Sequence, residues 1–536
     1  MQKLLNNKKI LIMLTLIMIV GAFLRLYNLN WDQGHYLHPD ERLYVNSSNI
    51  TFPQSLDEFL SSQSPLNPHM FYYGTFPLYL YKVFQTTLAP SFSFLIASRL
   101  LSSLLSIFTI IIVFFIGKEL FSKTAGLIAA FLFTFSVGSI QYAHFNTTES
   151  LLIFLISTIV LLSVIVAKKE AYLLFIPLGV LTGLSYATKI TGLTFIFLPL
   201  LSLVILLFKQ KKIIKIIIWL IVFLFLTAGF GLLGAPYQLI DYTQFKSQQD
   251  YMQGVILGKD KPPFTIIYQG TIPYIYQLTQ VLPFIFGFIT LPMILAGFFL
   301  ILKRFSLKKD YLLLFILVYP ILYFVWSGSW YAKFERYSLL LLPFLSIWGA
   351  FTLQKFKKIP LFITLIFIAI NGALFLKVYL EDNTRIVASK WIYENVQNNT
   401  TIAGEHWDDN LPLPLSNAKS FNLKQLTVYD PDTPEKNVTL IATLSNSDYF
   451  IISSRRVYFS ILQNADKYPV TSNFYKQLFS EKLGFQLIKK FTNYPFYFSD
   501  DFADETFQSY DHPPVYIFKN VEQFSQNKLQ SILKIN

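Results

Sequence analysis

The chain has 536 residues, of which 53% are hydrophobic, 17% are aromatic and only 14% are charged. This composition is far more apolar than that of a soluble protein of the same length, and it indicates a polytopic membrane protein. The formal net charge of +13 does not indicate a nucleic-acid partner, because many lysines lie in short clusters between apolar runs. The chain contains no cysteine, which excludes disulfides, thiolate catalysis and cysteine-ligated zinc.

Apolar runs long enough to cross a bilayer recur along the first 380 residues. The first run follows Lys3, Lys8 and Lys9, and no small-residue cleavage site comes after it. We therefore predict that it is retained as a spanning helix with a cytoplasmic N-terminus. Together the runs predict about eleven spans, at residues 10–26, 92–116, 124–142, 150–167, 171–187, 192–208, 214–234, 281–302, 311–326, 337–353 and 360–379.

Clusters of basic residues predict the orientation of these spans. Under the positive-inside rule such clusters mark cytoplasmic loops. An odd number of spans then places the C-terminus on the outer side of the cell membrane. The clusters lie at residues 118–123, 168–169, 209–215, 303–309 and 355–358.

The composition changes after residue 380, where polar residues increase and apolar runs shorten to strand length, as at 449–452. Helical patterns, for example at 384–395, alternate with these runs. The sequence therefore predicts a polytopic α-helical membrane domain at residues 1–380 and a small extracytoplasmic α/β domain at residues 381–536. The membrane domain begins with one span and a long first outer loop at residues 28–91.

The first outer loop carries two adjacent acids, Asp40 and Glu41, close to His38. One interpretation is an ordinary helix start, because proline favours the first turn and acids suit the positive end of the helix dipole. The other is acid/base chemistry, because burial and mutual repulsion tune the pKa values of neighbouring carboxyl groups. A metal site with His38, Asp40 and Glu149 as possible ligands is a further alternative. Within the loop, however, His35, His38, Asp40 and Glu41 lack a specific ligand spacing.

Other ionisable residues on the predicted outer side each have two interpretations. Glu149 suits the first turn of a helix, but it also fits a second acid that orients an acceptor or holds a divalent cation. Lys189 and Arg336 fit side chains that extend to the interface or form ion pairs, and they also fit ligands of an anionic lipid phosphate. Arg99 lies inside the second span, where a charge must be paired or face a polar cavity.

Six stretches follow one another in a recognisable order. They resemble the GT-C glycosyltransferases that use polyprenyl-phosphate sugars, in particular the bacterial relatives of protein O-mannosyltransferases and of the aminoarabinose transferases that modify lipid A. The resemblance covers about residues 1–380. The stretches are Asp40-Glu41, 73–80 (Tyr-Gly-Thr-Phe-Pro-Leu-Tyr-Leu), 97–102 (Ala-Ser-Arg-Leu-Leu-Ser), 144–150 (His-Phe-Asn-Thr-Thr-Glu-Ser), 183–189 (Gly-Leu-Ser-Tyr-Ala-Thr-Lys) and Arg336-Tyr337 before Leu342-Pro343.

The resemblance implies transfer of a sugar from a polyprenyl-phosphate donor to a hydroxyl of a protein, glycolipid or cell-wall glycan on the outer face, usually with inversion. It implies that Asp40 is the general base. Glu41 then orients the acceptor or Arg99, and Glu149 is a second candidate acid. The candidate ligands of the donor phosphate are Lys189, Arg336 and Arg99. The sequence requires no cofactor, and it is compatible with a divalent cation.

A transporter or flippase for a lipid-linked or anionic substrate is the main alternative, since charges inside a membrane also mark substrate pathways. Transporters commonly show two similar halves, whereas this chain has its longest loop first and ends in a soluble domain. The order of these features favours the transferase. In the soluble domain, the polar and aromatic stretch 405–409 is compatible with an acceptor-binding site and with an exposed loop.

Overall fold

The computed structural model describes residues 2–415, 419–496 and 498–535, with side chains from residue 8 onward, so Lys3 lies outside the described side chains. The chain divides into two compact units. The first unit consists of Met1–Leu29, His38–Gln253 and Pro273–Phe375. The second consists of Asn30–Leu37, Gly254–Ile272 and Leu376–Asn536, so it includes two short segments from within the predicted membrane domain.

The first unit is helical. Within the described residues, nine helices are long and apolar enough to cross a bilayer. This finding confirms a polytopic α-helical membrane protein. The nine are Lys8–Leu26, Phe94–Leu120, Glu149–Lys169, Ile190–Gln210, Ile213–Gly234, Thr290–Lys308, Tyr311–Gly328, Glu335–Leu353 and Lys358–Asn395. The last of these comprises the helix Lys358–Phe375 of the first unit and two helices that belong to the second unit.

Three of the predicted spans differ from regular long helices. The run at 124–142 forms Lys123–Thr134 and Val137–His144, which meet at an angle of 64°. The run at 171–187 forms the shorter apolar helix Tyr172–Thr188. The run at 281–302 is divided, because Gly287 has a φ of +93° and ends the helix Leu282–Phe286 before Thr290–Lys308 begins.

The interior of the first unit is built around the helix Phe94–Leu120, which packs against Lys123–Thr134 and Glu149–Lys169. The helix Leu342–Leu353 packs against Lys123–Thr134 and Thr290–Lys308 and is buried along its whole length. It is therefore surrounded by protein. The shorter helices of this unit are Pro39–Asn46, Leu56–Phe59, Phe76–Thr87, Val137–Gln141 and Tyr237–Ile240, and Tyr242–Leu257 continues into the second unit.

A fully buried arginine holds the bent helix pair. Arg25, at the end of the first span, donates hydrogen bonds to the carbonyl oxygens of Phe133 and Thr134, both at 3.2 Å. It also donates to the hydroxyls of Ser106 (2.8 Å) and Ser139 (2.6 Å). Helix ends leave carbonyl groups without helical partners, and Arg25 satisfies those that the 64° bend exposes. The sequence analysis did not single out this residue.

The second unit contains one mixed sheet of five strands in the order β2-β1-β3-β5-β4. The strands are β1 Thr401–Glu405, β2 Asn422–Leu426, β3 Tyr449–Ile452, β4 Phe485–Phe491 and β5 Val515–Asn520. β1 is parallel to β2 and β3, whereas β5 is antiparallel to β3 and β4. The helices are Lys377–Leu380, Thr384–Asn395, Pro434–Ser445, Arg456–Gln463, Pro469–Phe479, Glu505–Gln508 and Gln526–Leu533.

The core of the second unit includes Phe450 of β3, Phe518 of β5 and Phe474 of the helix Pro469–Phe479. β3 is buried on both faces, as expected for a strand in the middle of a sheet with helices on either side. The prediction of a small α/β domain in the C-terminal part of the chain is confirmed.

A buried ionic cluster lies near the end of this unit. The two ring nitrogens of His512 contact Asp500 (2.8 Å) and Asp511 (2.5 Å), and none of the three side chains is exposed. Burial by itself lowers the pKa of His512, but the two carboxylates raise it, to about 10. Asp511 also accepts a hydrogen bond of 2.9 Å from Tyr379. The cluster therefore joins the segment around residue 379 to the last loop before β5.

We expect this cluster to make stability depend on pH. The pKa of His512 is about 10 in the folded protein, against an ordinary value of 6.5 for an unfolded chain. The cluster therefore contributes its full stability below pH 6.5. This contribution is lost as the pH rises to about 10, by up to about 1.4 kcal/mol per pH unit. Unfolding of the full chain in detergent should show this decline, and His512→Gln should flatten it. The exposed control His406→Gln should keep the wild-type slope, and equal slopes for all three proteins would contradict the assignment.

Candidate active site

The predicted acid pair begins the short helix Pro39–Asn46. His38 is the N-cap, and its Nδ1 atom accepts a hydrogen bond of 3.2 Å from the backbone N–H of Asp40. Pro39 occupies the first helical position, and both acids lie in the first turn. The helix-start interpretation is therefore correct for the backbone. The two carboxylates nevertheless have different partners, which separates their roles.

Glu41 forms a buried ion pair with Arg99 of the second span. The Arg99 guanidinium donates to Oε1 at 2.8 Å and to Oε2 at 2.5 Å, and neither side chain is exposed. Oε1 also accepts a hydrogen bond of 2.6 Å from the backbone N–H of Asn146, and Arg99 donates to the Leu29 carbonyl at 2.8 Å. Both carboxylate oxygens are thus engaged. This geometry favours a structural role for Glu41 and Arg99 over catalysis and donor binding.

Asp40 forms an ion pair with Arg336, although 296 positions separate the two residues. The same Arg336 nitrogen donates to the Tyr73 hydroxyl at 2.9 Å. Burial raises the pKa of the Asp40 carboxyl, but Arg336, His38 and Tyr73 lower it, and the net pKa lies below its ordinary value. Asp40 is therefore ionised at neutral pH, as a general base must be.

Glu149 forms the second acid–base pair of the site. Lys189 Nζ lies 3.3 Å from Glu149 Oε1, which also accepts a 3.2 Å hydrogen bond from the Thr148 hydroxyl. Thr148 occupies the N-cap position of the helix Glu149–Lys169, but its side chain makes no capping bond. Burial lowers the pKa of Lys189, and Glu149 opposes this shift in part. The Thr148 side chain therefore does not cap the helix, whereas Glu149 does lie in its first turn, where a negative charge suits the helix dipole.

Two tyrosine rings connect the pairs. Lys189 Nζ lies 5.4 Å from the ring centre of Tyr73 and 5.6 Å from that of Tyr337. The Arg336 guanidinium carbon lies 5.9 Å and 5.7 Å from the same two rings. Such distances allow cation–π attraction. We call Asp40, Arg336, Glu149 and Lys189 the four-charge cluster.

Tyr73 and Tyr337 lie in two of the six motif stretches, but no role for either was predicted from the sequence. A signal was present, because Tyr337 directly follows the predicted phosphate ligand Arg336 and Tyr73 precedes a glycine in a stretch with few charges. Tyr73 also stacks on Tyr44 of the first outer helix, with ring centres 5.9 Å apart. The two rings belong to the site as positioning groups for its cations.

Gly74 allows the first outer loop to approach Lys189. Its N–H donates a 2.9 Å hydrogen bond to the carbonyl of Thr188, the residue before Lys189. A Cβ atom at this position would lie 1.8 Å from the carbonyl oxygen of Ala187, so only glycine fits. The close approach places Tyr73 beside Lys189.

Unpartnered polar groups lie in the same region. Within the described part of the chain, the Asn146 amide, the Thr147 hydroxyl and the Tyr44 hydroxyl are buried and have no hydrogen-bond partner. Native proteins rarely leave such groups unsatisfied. They are therefore available to the hydroxyl groups of a polar ligand.

An apolar groove lies next to this region, between the helices Ile190–Gln210 and Tyr311–Gly328. Its volume is about 540 Å³. Tyr323, which lines it, donates a 2.9 Å hydrogen bond to the carbonyl of Tyr337 and so connects the groove with the four-charge cluster. The lining residues are Thr194, Phe197, Leu198, Leu200, Leu201, Val204, Val318, Tyr319, Leu322, Tyr323 and Trp326.

The metal alternative is not supported by the geometry. Across residues 2–415, 419–496 and 498–535, no group of three or more His, Asp or Glu side chains is placed to hold a metal ion. His38, Asp40 and Glu149 are thus not assembled into such a group. Asp40 and Glu149 each pair with a basic side chain instead.

Residues 80–230 match the family model described as dolichyl-phosphate-mannose-protein mannosyltransferase. Arg99, Glu149 and Lys189 lie within this range, whereas Asp40 and Arg336 lie outside it. No curated protein matches the chain. The match supports the predicted resemblance to glycosyltransferases over these residues.

Several solved structures are similar to this chain at low sequence identity. The oligosaccharyltransferase AglB from Archaeoglobus fulgidus, in complex with an inhibitory peptide and a dolichol-phosphate, has 12% identity and a TM-score of 0.49 over 88% of this chain and 72% of that chain. ArnT from Cupriavidus metallidurans in the apo state has 12% identity and a TM-score of 0.48 over 97% and 99%. The Pmt1-Pmt2 complex of S. cerevisiae has 15% identity and a TM-score of 0.33 over 51% and 38%. The site assignment therefore rests on the residues of this chain.

We expect the Glu41–Arg99 pair to act through stability. Glu41→Gln leaves the Arg99 charge buried without its partner, and loss of one member of such a pair costs about 3–5 kcal/mol in the free energy of unfolding. Unfolding of the detergent-solubilised protein measures this change. The exposed pair Lys246–Asp250 supplies the control Asp250→Asn, which should cost at most about 1 kcal/mol. Wild-type stability of Glu41→Gln with lost turnover would assign Glu41 to catalysis instead.

Proposed function

We propose that the protein transfers a sugar from a polyprenyl-phosphate donor to an acceptor hydroxyl, on the outer face of the cell membrane. The observation that carries the proposal is the four-charge cluster beside an apolar groove of about 540 Å³. A lipid-linked phosphate needs both an apolar channel for its chain and cations for its headgroup. The charge pattern of the loops supports the outer location and predicts that residues 381–536 lie outside.

The donor phosphate would bind Arg336 and Lys189. Both side chains are positive, and both are held over the rings of Tyr73 and Tyr337. Arg99 contributes no direct contact in this proposal, because Glu41 and the Leu29 carbonyl already occupy its donors. The family description, which names a lipid-phosphate mannose, supports a donor of this chemical class.

The reaction would be a single displacement. The Asp40 carboxylate takes the proton from the acceptor hydroxyl as its oxygen bonds to the anomeric carbon. The bond between that carbon and the phosphate oxygen breaks, and its electron pair leaves with the lipid phosphate. Arg336 and Lys189 stabilise the negative charge that grows there. A single displacement inverts the anomeric configuration. The proposal requires no cofactor, and a divalent cation at the phosphate stays a prediction.

Donor binding would also activate the base. Arg336 lowers the pKa of Asp40 while the two are paired. A phosphate that shares Arg336 offsets the positive charge beside Asp40, so the pKa of the carboxyl rises and its basicity increases. Glu149 is likewise paired with Lys189 in the free protein. The ion pairs of the free protein thus hold the site ready until the donor arrives.

We expect the purified protein in liposomes to transfer sugar from a polyprenyl-phosphate sugar and to leave a nucleotide sugar unused. The reason is that the basic residues of the site are associated with an apolar groove, and the predicted cytoplasmic loops are too short for a nucleotide site. Mass spectrometry of the reaction mixture measures both transfers. Turnover of a soluble nucleotide sugar without a lipid carrier would contradict the proposal.

We expect Asp40→Asn to lower turnover by about 10²–10⁴-fold, because the variant keeps the shape of the side chain but cannot accept the proton. Single-turnover transfer measures this loss, and donor binding measured on the same preparation should persist. Asp57→Asn, which changes an exposed acid of the same loop, is the control and should transfer at the wild-type rate. Near-wild-type transfer by Asp40→Asn would remove Asp40 from the mechanism.

A further inference from the structure

The sheet of the second unit has a topological switch point between β1 and β3. After β1 the chain continues to β2 on one side, and after β2 it returns to β3 on the other side of β1. The loops that follow β1 and β3 therefore leave the sheet in opposite directions. In open α/β sheets, ligands bind in the crevice that this divergence creates at the carboxyl ends of parallel strands.

A small crevice is present at this position. Its lining includes Gly404 and Glu405 at the end of β1, Asp409 and Asn410 of the following loop, and Ser453 directly after β3. The interior has about 10 Å³ of free space, which is close to the room that one water molecule needs. A ligand can therefore insert one group of hydroxyl size, and the rest of it must lie on the surface around the opening.

One of the residues that line the crevice, Glu405, has a buried carboxyl group with an unused oxygen. Glu405 is 3% exposed, and its Oε1 atom accepts a 2.5 Å hydrogen bond from the Tyr475 hydroxyl. Its Oε2 atom has no hydrogen-bond partner among the described residues. Burial raises the pKa of Glu405 well above its ordinary value. A neutral carboxyl group can both donate to and accept from an inserted hydroxyl.

Two loops that are connected with the crevice each carry an exposed aromatic side chain. Trp407 is 49% exposed, two residues after the end of β1, and Phe502 is 81% exposed in the loop before the helix Glu505–Gln508. Their ring faces can pack against the C–H face of a sugar ring.

Buried polar contacts fix both loops in place. Asp408, the neighbour of Trp407, accepts hydrogen bonds from Ser454 and, at 3.0 Å, from Arg385. Arg455 donates to the carbonyl oxygens of Asp501 and Ala503, one on each side of Phe502. Ser454 and Arg455 are consecutive residues after β3. The aromatic rings are thus anchored to the same turn that lines the crevice.

We propose that this crevice binds a saccharide, with one hydroxyl inserted against Glu405 and the sugar ring resting on the aromatic rim of Trp407 and Phe502. The inference goes beyond the transfer reaction and does not depend on it. A phosphate or other anion fits less well. Arg385 and Arg456 are paired with Asp408 and Glu505, and Arg455 bonds to backbone carbonyls. The lining of the crevice contains one basic side chain, the exposed Lys424, together with the acidic residues Glu405 and Asp409.

The test uses the full chain in lauryldimethylamine oxide, a detergent without a sugar headgroup. The labelled protein is applied to an array of defined oligosaccharides and to an array of serine- and threonine-containing peptides. Isothermal titration then measures the affinity for the best-retained oligosaccharide. Trp407→Asn removes the ring and suits the left-handed backbone at this position (φ +79°), and Phe502→Ala removes the second ring.

We expect each ring variant to bind the oligosaccharide about tenfold more weakly than the wild type. Glu405→Gln should lose affinity by a similar factor. If the amide oxygen of the glutamine accepts the hydrogen bond from Tyr475, only its NH₂ group faces the ligand, and this group can donate but cannot accept. Val438→Ala, which truncates an exposed side chain on the helix Pro434–Ser445, should bind like the wild type. Thermal unfolding of every variant checks the fold.

Three outcomes would overturn the saccharide site. They are retention of no oligosaccharide, retention of peptides instead, and equal oligosaccharide affinity of the wild type and both ring variants. The result is independent of the transfer reaction, because Asp40→Asn should bind the oligosaccharide like the wild type even where it transfers no sugar. Failure of this inference and failure of the proposed function are therefore distinguishable.

Discussion

The buried ion pair between Glu41 and Arg99 is the contact on which the membrane-associated site depends. It joins the first outer helix to the second span, and its third hydrogen bond, from the Asn146 N–H, adds the turn that leads to Glu149. A charge inside a span is costly unless it is paired, so breaking the contact would leave a buried charge unpaired and would strongly destabilise the fold. Asp40, the immediate neighbour of Glu41, is positioned by the same anchor. Of these two adjacent acids, Glu41 thus has a structural role, and Asp40 is the candidate for the chemical role.

Much of this arrangement could be predicted because its signals are local. Apolar runs identify the spanning helices, and the change in composition near residue 380 identifies the α/β domain. The division of the run 281–302 was not predicted, since a single Gly287 in an apolar stretch does not reveal its backbone conformation. The assignment of segments 30–37 and 254–272 to the second unit was also missed, because it depends on tertiary contacts that have no local pattern.

For the site, residue type predicted the members but not their partners. Asp40, Glu149, Lys189 and Arg336 were all selected from the sequence, yet nothing in it could show that Asp40 meets Arg336 from 296 positions away. Arg99 was expected either to pair with an acid of the first loop or to bind phosphate, and the structure contains the ion pair. Tyr73 and Tyr337 were overlooked as site residues because aromatic side chains are common in this chain, with 32 tyrosines.

Arg25 has a consequence for the order in which the chain can assemble. Its hydrogen-bond acceptors at Ser106, Phe133, Thr134 and Ser139 all come later in the sequence, apart from the Gly21 carbonyl of its own helix. During synthesis the first helix therefore enters the bilayer before those acceptors exist. Until they exist, the Arg25 side chain, which lies close to the helix end, must extend to the water at the membrane interface. The full set of hydrogen bonds of Arg25 can therefore form only after the segment through residue 139 has been inserted.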